Sequence, residues 1–251
     1  MLFNFTVLIG AILAGWNFVF SLYFGNPVVY DSVIFLSCAV LSAAFASDNS
    51  TWVQSKGVPS GNWLGVASSS SGTHLIASST TAGSMATGIY LSTDGAVTWK
   101  NVFISGCGAY EQWNDVASSA DGYTLYALQQ DMGLYVSTNQ GASWARNPVD
   151  PTLTYANYNR VSCSSTGGTV AVSLMGGYIY VSNNFGYTFT AAKSLGLNSF
   201  YFVSVSADGF SMTAGASWLY TSMNGGATWS QNRAPSLAWT DVAYSTGDDM
   251  M

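Results

Sequence analysis

The sequence predicts an all-β fold of four-stranded antiparallel blades, a β-propeller, and three observations carry that prediction. First, an octet recurs four times: STDGAVTW (Ser92 to Trp99), STNQGASW (Ser137 to Trp144), SNNFGYTF (Ser182 to Phe189) and SMNGGATW (Ser222 to Trp229). Second, a longer phrase precedes each octet: WLGVASSSSGTHLIAS from Trp63, WNDVASSADGYTLYAL from Trp113, YNRVSCSSTGGTVAVS from Tyr158 and FYFVSVSADGFSMTAG from Phe200. Third, the aromatics that close successive units, Trp52, Trp99, Trp144, Phe189 and Trp229, stand 47, 45, 45 and 40 residues apart. Periods of about 40–50 residues belong to propeller blades or solenoid coils.

Each part of the unit has a physical reading. The long phrase is an alternating strand, a glycine turn (SSG, ADG, TGG, ADG) and a second alternating strand. Asp121 and Asp208 fall in the ADG turns and read as turn formers. A short run (GIYL, GLYV, YIYV, WLYT) then supplies a third strand before the octet. Within the octet, Asp94, Asn139, Asn184 and Asn224 can accept hydrogen bonds from backbone N–H groups just downstream. Gly95, Gly141, Gly186 and the Gly225-Gly226 pair supply positive φ. The octet is therefore a hairpin loop opened by Ser92, Ser137, Ser182 or Ser222 and anchored by Trp99, Trp144, Phe189 or Trp229. Burying each of those aromatics contributes about 2–3 kcal/mol. Strand, turn, strand, loop, strand, octet and strand make one blade. A blade cannot bury both faces alone, so neighbours stack round an axis with Val66, Val116, Val161 and Val203 innermost. No helical periodicity follows residue 50.

The octet resembles the Asp-box, or bacterial neuraminidase repeat, over about residues 52–251. That family includes sialidases, sortilin-like receptors, xyloglucan-cleaving hydrolases and a photosystem assembly factor. The resemblance implies a structural hairpin on a propeller blade rather than a catalytic site. This chain departs from the pattern at Ala96, where the usual glycine is displaced to Gly95. It departs again at three asparagines in place of aspartate, and at Phe189. A fifth unit starts at Trp239 (WTDVAYSTGDDMM) and stops near where its second strand should begin. Trp52-Val53-Gln54-Ser55 reads as the last strand of a blade. The resemblance implies more than five blades. The expectation is therefore about four full blades plus partial strands, a C-terminally truncated fragment in an open, C-shaped arc.

Residues 1–46 differ from everything after them. Leu2 to Phe24 is long and apolar enough to span a bilayer. Val33 to Ala46 is a shorter apolar run ending in Ala44-Phe45-Ala46, the form of a signal-peptidase site. No Lys or Arg precedes Lys56. The expectation is a hydrophobic helical leader, cleaved as a signal peptide or kept as membrane helices. Membrane association would then run through residues 1–46. Asn49-Ser50-Thr51, just beyond, is a glycosylation sequon at Asn49.

Composition narrows the partners. Charged residues are 7% of the chain, against about 25% in ordinary globular domains. Hydroxyl and amide side chains must therefore carry the surface, which suits an extracellular or cell-surface protein. Six Lys and Arg cannot build a phosphate-tracking stripe, so nucleic acid is excluded as a partner. His74 is the single histidine and reads as a solvent-facing strand residue. It has no cluster to join, so no metal site, triad or cofactor is expected. Cys38 lies in the apolar leader, and Cys107 and Cys163 read as two isolated thiols, with a Cys107–Cys163 pair in an oxidising compartment as the alternative.

The sialidase chemistry implied by the resemblance needs an arginine cluster and a tyrosine–glutamate pair. The chain has Arg146, Arg160 and Arg233, one glutamate, Glu111, and no Phe-Arg-Ile-Pro motif. The best carboxylate pair is Asp115 and Asp241, from the matching phrases WNDVA and WTDVA, at equivalent strand starts near the axis. They are the candidate catalytic acids if the protein is a glycoside hydrolase, sialidase-like or xyloglucanase-like with an incomplete site. Aromatic-plus-amide loops such as TYANYN (Thr154 to Asn159) suit sugar or protein recognition instead. The expected function is a non-catalytic extracytoplasmic module that binds a glycan or a protein. A hydrolase is the first alternative and a membrane-complex assembly factor the second.

Overall fold

The structure is a computed structural model that describes residues 54–55, 58–59, 61–80, 88–105, 112–153, 156–234, 237 and 239–244. The leader at 1–46, Asn49, Trp52, Cys38, Cys107 and Glu111 lie outside the described residues. Among the described residues no helix is long and apolar enough to cross a membrane.

Four antiparallel sheets follow one another in chain order. The first contains β1 (Trp63–Ser68), β2 (Leu75–Ser79), β3 (Gly88–Ser92) and β4 (Lys100–Val102). The second contains β5 (Trp113–Ser118), β6 (Leu125–Gln129), β7 (Gly133–Ser137) and β8 (Ala145–Asn147). The third contains β9 (Tyr158–Cys163), β10 (Val170–Gly177), β11 (Ile179–Ser182) and β12 (Thr190–Ala191). A short β13 (Asn198–Ser199) pairs with the far end of β10, opposite Met175 and Gly177. The fourth contains β14 (Phe202–Val205), β15 (Met212–Gly215), β16 (Leu219–Ser222) and β17 (Ser230–Gln231). Each sheet is a meander of neighbouring strands, as the repeat predicts. The linker turn Lys193–Leu195 is a single turn of 3-10 helix.

Three of the four core clusters among the described residues lie between blades, and the fourth gathers Trp63, Leu75, Ala77, Tyr90, Ala96 and Trp99 of blade one. Ile76 and Ile89 of blade one pack with Trp113, Val116, Leu125 and Tyr135 of blade two. Tyr126, Leu128 and Leu134 of blade two pack with Val161, Val170, Val172 and Tyr180 of blade three. Ala171, Ile179 and Val181 of blade three pack with Phe200, Val203 and Met212 of blade four. The central strands β2 and β6 are buried throughout, while the outer β4, β8 and β17 face solvent. Within blades, the first aromatic of the long phrase meets a strand-three tyrosine edge to face. Trp63 lies 5.0 Å from Tyr90 and Trp113 lies 5.2 Å from Tyr135.

The octets close the β3–β4, β7–β8, β11–β12 and β16–β17 hairpins. In each, the serine hydroxyl donates to the third residue's side chain: Ser92 to Asp94 at 2.9 Å, Ser137 to Asn139 at 2.9 Å, Ser182 to Asn184 at 2.8 Å and Ser222 to Asn224 at 3.0 Å. The same hydroxyl accepts the backbone N–H four residues on, from Ala96, Gly141, Gly186 or Gly226, at 2.8–3.0 Å. The third side chain then accepts the N–H of the seventh residue at 2.9–3.0 Å in every copy. Aspartate and asparagine both serve, because the seventh residue's hydroxyl adapts: it donates to Asp94 Oδ2 in the first octet, and accepts from Asn139, Asn184 or Asn224 Nδ2–H in the others.

Positions four and five of every octet have positive φ: Gly95 and Ala96, Gln140 and Gly141, Phe185 and Gly186, Gly225 and Gly226. Two left-handed residues in a row explain how the glycine can shift by one place in the first octet. Position five also meets the preceding blade. A methyl on Gly141 would lie 2.2 Å from Leu91 Cδ1 of blade one, and one on Gly226 would lie 2.7 Å from Val181 Cγ2 of blade three. Ala96 belongs to a cluster with Trp63, Leu75, Ala77, Tyr90 and Trp99 of its own blade, against which Val58 and Val66 pack, and no strand precedes that blade among the described residues.

Gly141→Ala is therefore expected to cost about 2–4 kcal/mol, from left-handed strain and from overpacking against Leu91. Ala96→Gly should change stability by no more than about 1 kcal/mol. Urea denaturation of the folded chain measures both, and equal losses at the two positions would contradict the contact with the preceding blade.

Candidate functional site

Strand direction gives the blades two ends. The octets and the β1–β2, β5–β6, β9–β10 and β14–β15 turns share one end, since Gly95, Gln140, Phe185 and Gly225 donate their N–H groups to Thr73, Tyr123, Gly168 and Phe210. The connections between blades share the other, the linker end. The innermost strands β1, β5, β9 and β14 run from linker end to octet end. With residues 241–244 they line an axial cavity of about 330 Å3. Residues 239–244 lie beside blade four, where the Tyr244 and Thr213 hydroxyls are 2.7 Å apart.

The cavity wall includes Val66, Val116, Val161 and Val203, the four predicted innermost residues, and Val242 from the fifth phrase. Leu64, Asp115, Arg160, Phe202 and Asp241 line it toward the linker end, and Ser70, Ala120, Ser165 and Ala207 toward the octet end. The structure thus brings together the two candidate acids of the sequence, and adds Arg160 between them. Of the three arginines, Arg146 instead donates its Nε to Met132 O at 2.9 Å, and Arg233 follows β17. Neither lines the cavity, so the described arginines form no cluster.

Asp115 is tied to both neighbouring blades. Its Oδ2 accepts the Val161 N–H at 2.9 Å. A methyl built on Gly65 of blade one would fall 2.6 Å from its Oδ1, so glycine at 65 makes room for the carboxylate. Burial raises the Asp115 pKa from 3.8 to about 6, against the pull of Arg160 and of the Val161 and Val116 N–H groups; the charge of Asp241 adds to the rise. Burial also raises Asp241, against its bond from the Val242 N–H and the charge of Arg160. Cys163, a free thiol on the wall, is pushed by burial up to about 12 and stays protonated at neutral pH.

Polar groups from one blade are also spent on the next. Asn114 Nδ2 donates to Tyr158 O and Asn159 Nδ2 to Tyr201 O, each at 2.6 Å. Val205 N–H donates to Ser162 Oγ at 3.0 Å. At the octet end a backbone belt runs Ser70 to Ala120, Ala120 to Ser165 and Ser165 to Ala207, with N–H to O distances of 2.7–2.8 Å.

A second serine series was not singled out by sequence reasoning. Ser69, Ser119, Ser164 and Ser206 accept the N–H groups of His74, Thr124, Thr169 and Ser211 at 2.9–3.1 Å. Its signal is a serine standing five residues before the end of each glycine turn. Asp121 and Asp208 are the turn formers expected, accepting the Tyr123 and Phe210 N–H groups at 2.9 Å. His74 differs from expectation. It lies in the turn before β2, with Nδ1 bonded to Thr73 Oγ1 at 3.1 Å, because β2 begins only at Leu75. Among the described residues no three His, Cys, Asp or Glu side chains are grouped to hold a metal ion.

No family model and no curated protein matches the chain. Solved structures do. A GH74 enzyme from Niastella koreensis is 20% identical, over 67% of this chain and 29% of that one, with a TM-score of 0.53. An ancestral GH74 enzyme is 16% identical, over 70% of this chain and 26% of its own, also at 0.53. The fold is that of a β-propeller. YCF48 from Cyanidioschyzon merolae is 17% identical over 72% of this chain and 60% of that one, at 0.49. The chain spans less than a third of the length of the GH74 enzymes it matches. At these identities the likeness is one of propeller fold alone.

The propeller's axial acids make a stability prediction. The folded state holds the Asp115 proton more tightly than the unfolded chain does. Folding therefore favours the protonated form, and its contribution is complete below 3.8 and lost as pH climbs toward about 6. The melting temperature should decline across that window. Asp115→Asn should flatten the decline and melt higher at pH 7, because the amide oxygen still accepts the Val161 N–H without a buried charge. Calorimetry from pH 4 to 7 checks the slope.

Proposed function

We propose that the chain is a non-catalytic binding module that acts outside the cytoplasm and holds a glycan or a protein. One observation carries this reading. Asp115, the better of the two candidate acids, is occupied by the junction between blades, with Oδ2 on the Val161 N–H and Oδ1 against Gly65. Aromatic side chains, by contrast, stand free at both ends of the propeller: Phe103 at the linker end is 82% exposed, Tyr187 at the octet end 70%. Exposed rings among hydroxyl and amide groups suit recognition rather than bond cleavage. The serine-rich, charge-poor composition and the apolar leader at 1–46 support a place outside the cytoplasm.

A second reading, a glycoside hydrolase, is favoured by one feature. Two carboxyls with raised pKa values, Asp115 and Asp241, share a cavity with Arg160, and displaced pKa values are what an acid–base pair requires.

Glycan-array binding and chromogenic glycoside turnover, each with the native chain and Asp115→Asn, separate the two. The expected outcome is ligand retention unchanged within about twofold in the variant, with no turnover by either protein. Turnover by the native chain that the variant loses would replace the module with the hydrolase.

A further inference from the structure

Three consecutive blades carry uncovered apolar side chains at the octet end. Tyr123 comes from blade two, Phe185 and Tyr187 from blade three, and Phe210 and Met223 from blade four, and these side chains are 41–70% exposed. Their supports are rigid. Phe185 and Phe210 belong to the pairs in which an octet N–H meets a turn carbonyl, Phe185 to Gly168 and Gly225 to Phe210. Asn183 joins the third octet to the fourth, through Gly225 O at 3.4 Å. Phe185 is the most telling of the five. It sits at φ 58, where octets one and four have glycine, so an aromatic residue occupies a backbone conformation that disfavours it. The ring edge rests over the β9–β10 turn at Gly168, and the residue remains 41% exposed.

Charge at this end is one-sided. Asp94, Asp121 and Asp208 are there, each held below the ordinary carboxylate range, Asp94 chiefly by its Thr98 side-chain bond, Asp121 by Ser119 and Asp208 by Ser206. All three are ionised at neutral pH. Among the described cations, Arg160, Lys193 and Arg233 lie on or next to the blade connections, and Arg146 reaches the β6–β7 turn at Met132. Lys100 alone stands near an octet, at the start of β4 in blade one. Blades two to four therefore present aromatic rings beside Asp121 and Asp208, with no described cation among them.

We infer that the octet end is a docking surface for an extended, basic segment of a protein partner. This rests on the binding-module reading and commits it to one ligand class. Lysine or arginine side chains would lie over Tyr123, Phe185, Tyr187 and Phe210 as cation–π contacts and be attracted by the flanking carboxylates. A neutral glycan would use the rings but not the acids.

The test uses the full chain, labelled with nitrogen-15, and three probes: octa-arginine, octa-glutamate and a xylo-oligosaccharide. Octa-arginine should shift the amides of Tyr123, Phe185, Tyr187 and Phe210, with affinity falling about tenfold or more between low and high salt. Octa-glutamate and the oligosaccharide should leave them in place. Asp121→Asn with Asp208→Asn should weaken octa-arginine about tenfold while preserving both turns, since an amide oxygen can accept the same bonds, as it does in three octets. Tyr187→Ser with Phe210→Ser should weaken it similarly, at two exposed positions where folding is not at stake. Oligosaccharide binding at these rings, equal binding of octa-glutamate, or no shift at the octet end would each overturn the docking surface. Octa-arginine shifts confined to Asp115 and Asp241 would overturn it too. None of these results produces glycoside turnover, so the binding-module reading fails or survives separately.

Discussion

Everything in this propeller depends on four small hydroxyls buried at hairpin corners. Ser92, Ser137, Ser182 and Ser222 are each 1–2% exposed, and each is both donor and acceptor. The donated proton orients an Asp or Asn side chain, which then fixes the seventh octet residue. The accepted N–H belongs to a residue in left-handed conformation, which secondary structure leaves unpaired. A net hydrogen bond is worth about 1 kcal/mol, but leaving the buried N–H unmet costs about 1–3 kcal/mol. The serine therefore makes the tight corner affordable, and that corner lets position five approach the blade before it. Trp144 and Trp229 extend the same device, donating Nε1–H to the carbonyls of Gly141 and Gly226 at 3.2 and 3.0 Å. Trp99 is buried without such a partner, in the octet that departs most from the pattern.

The two ends of the propeller spend their polarity differently. At the linker end, carboxylate, guanidinium and amide groups are drawn inward and bonded across blades, so charge there serves cohesion. At the octet end, the carboxylates are held by local turn hydroxyls and N–H groups and project their charge outward. The same residue type is thus a structural joint in WNDVA and a surface charge in SADGY. Surroundings make the difference: burial raises Asp115, while local hydrogen bonds lower Asp121.

Much of this was legible in the sequence because turn chemistry requires particular residues at fixed spacing. Octets, glycine turns, strand order and the axial valines all follow from such requirements. The meeting of Asp115 with Asp241 was legible too, since equal places in a repeat become neighbouring places around an axis. The elevation of Asp115 was not, because it arises from burial between neighbouring blades, which no local stretch of sequence displays. Nor was β13, which lies in an unrepeated linker and forms only because β10 runs on to Gly177. The exposed rings at the octet end escaped for the opposite reason. One turn position holds Thr73, Tyr123, Gly168 and Phe210 in the four blades, so the fold places no demand on it and periodicity cannot single it out.

Among the described residues the bonds from blade to blade reach no further than one repeat: Asn114 meets Tyr158, Asn159 meets Tyr201, and Ser70 meets Ala120. Information about damage travels by the same short steps. An injury in one blade is felt most strongly by the blades that touch it, as nearest-neighbour coupling requires. Such coupling lets one blade loosen while blades that do not touch it keep their shape, which gives graded rather than all-or-none tolerance of change.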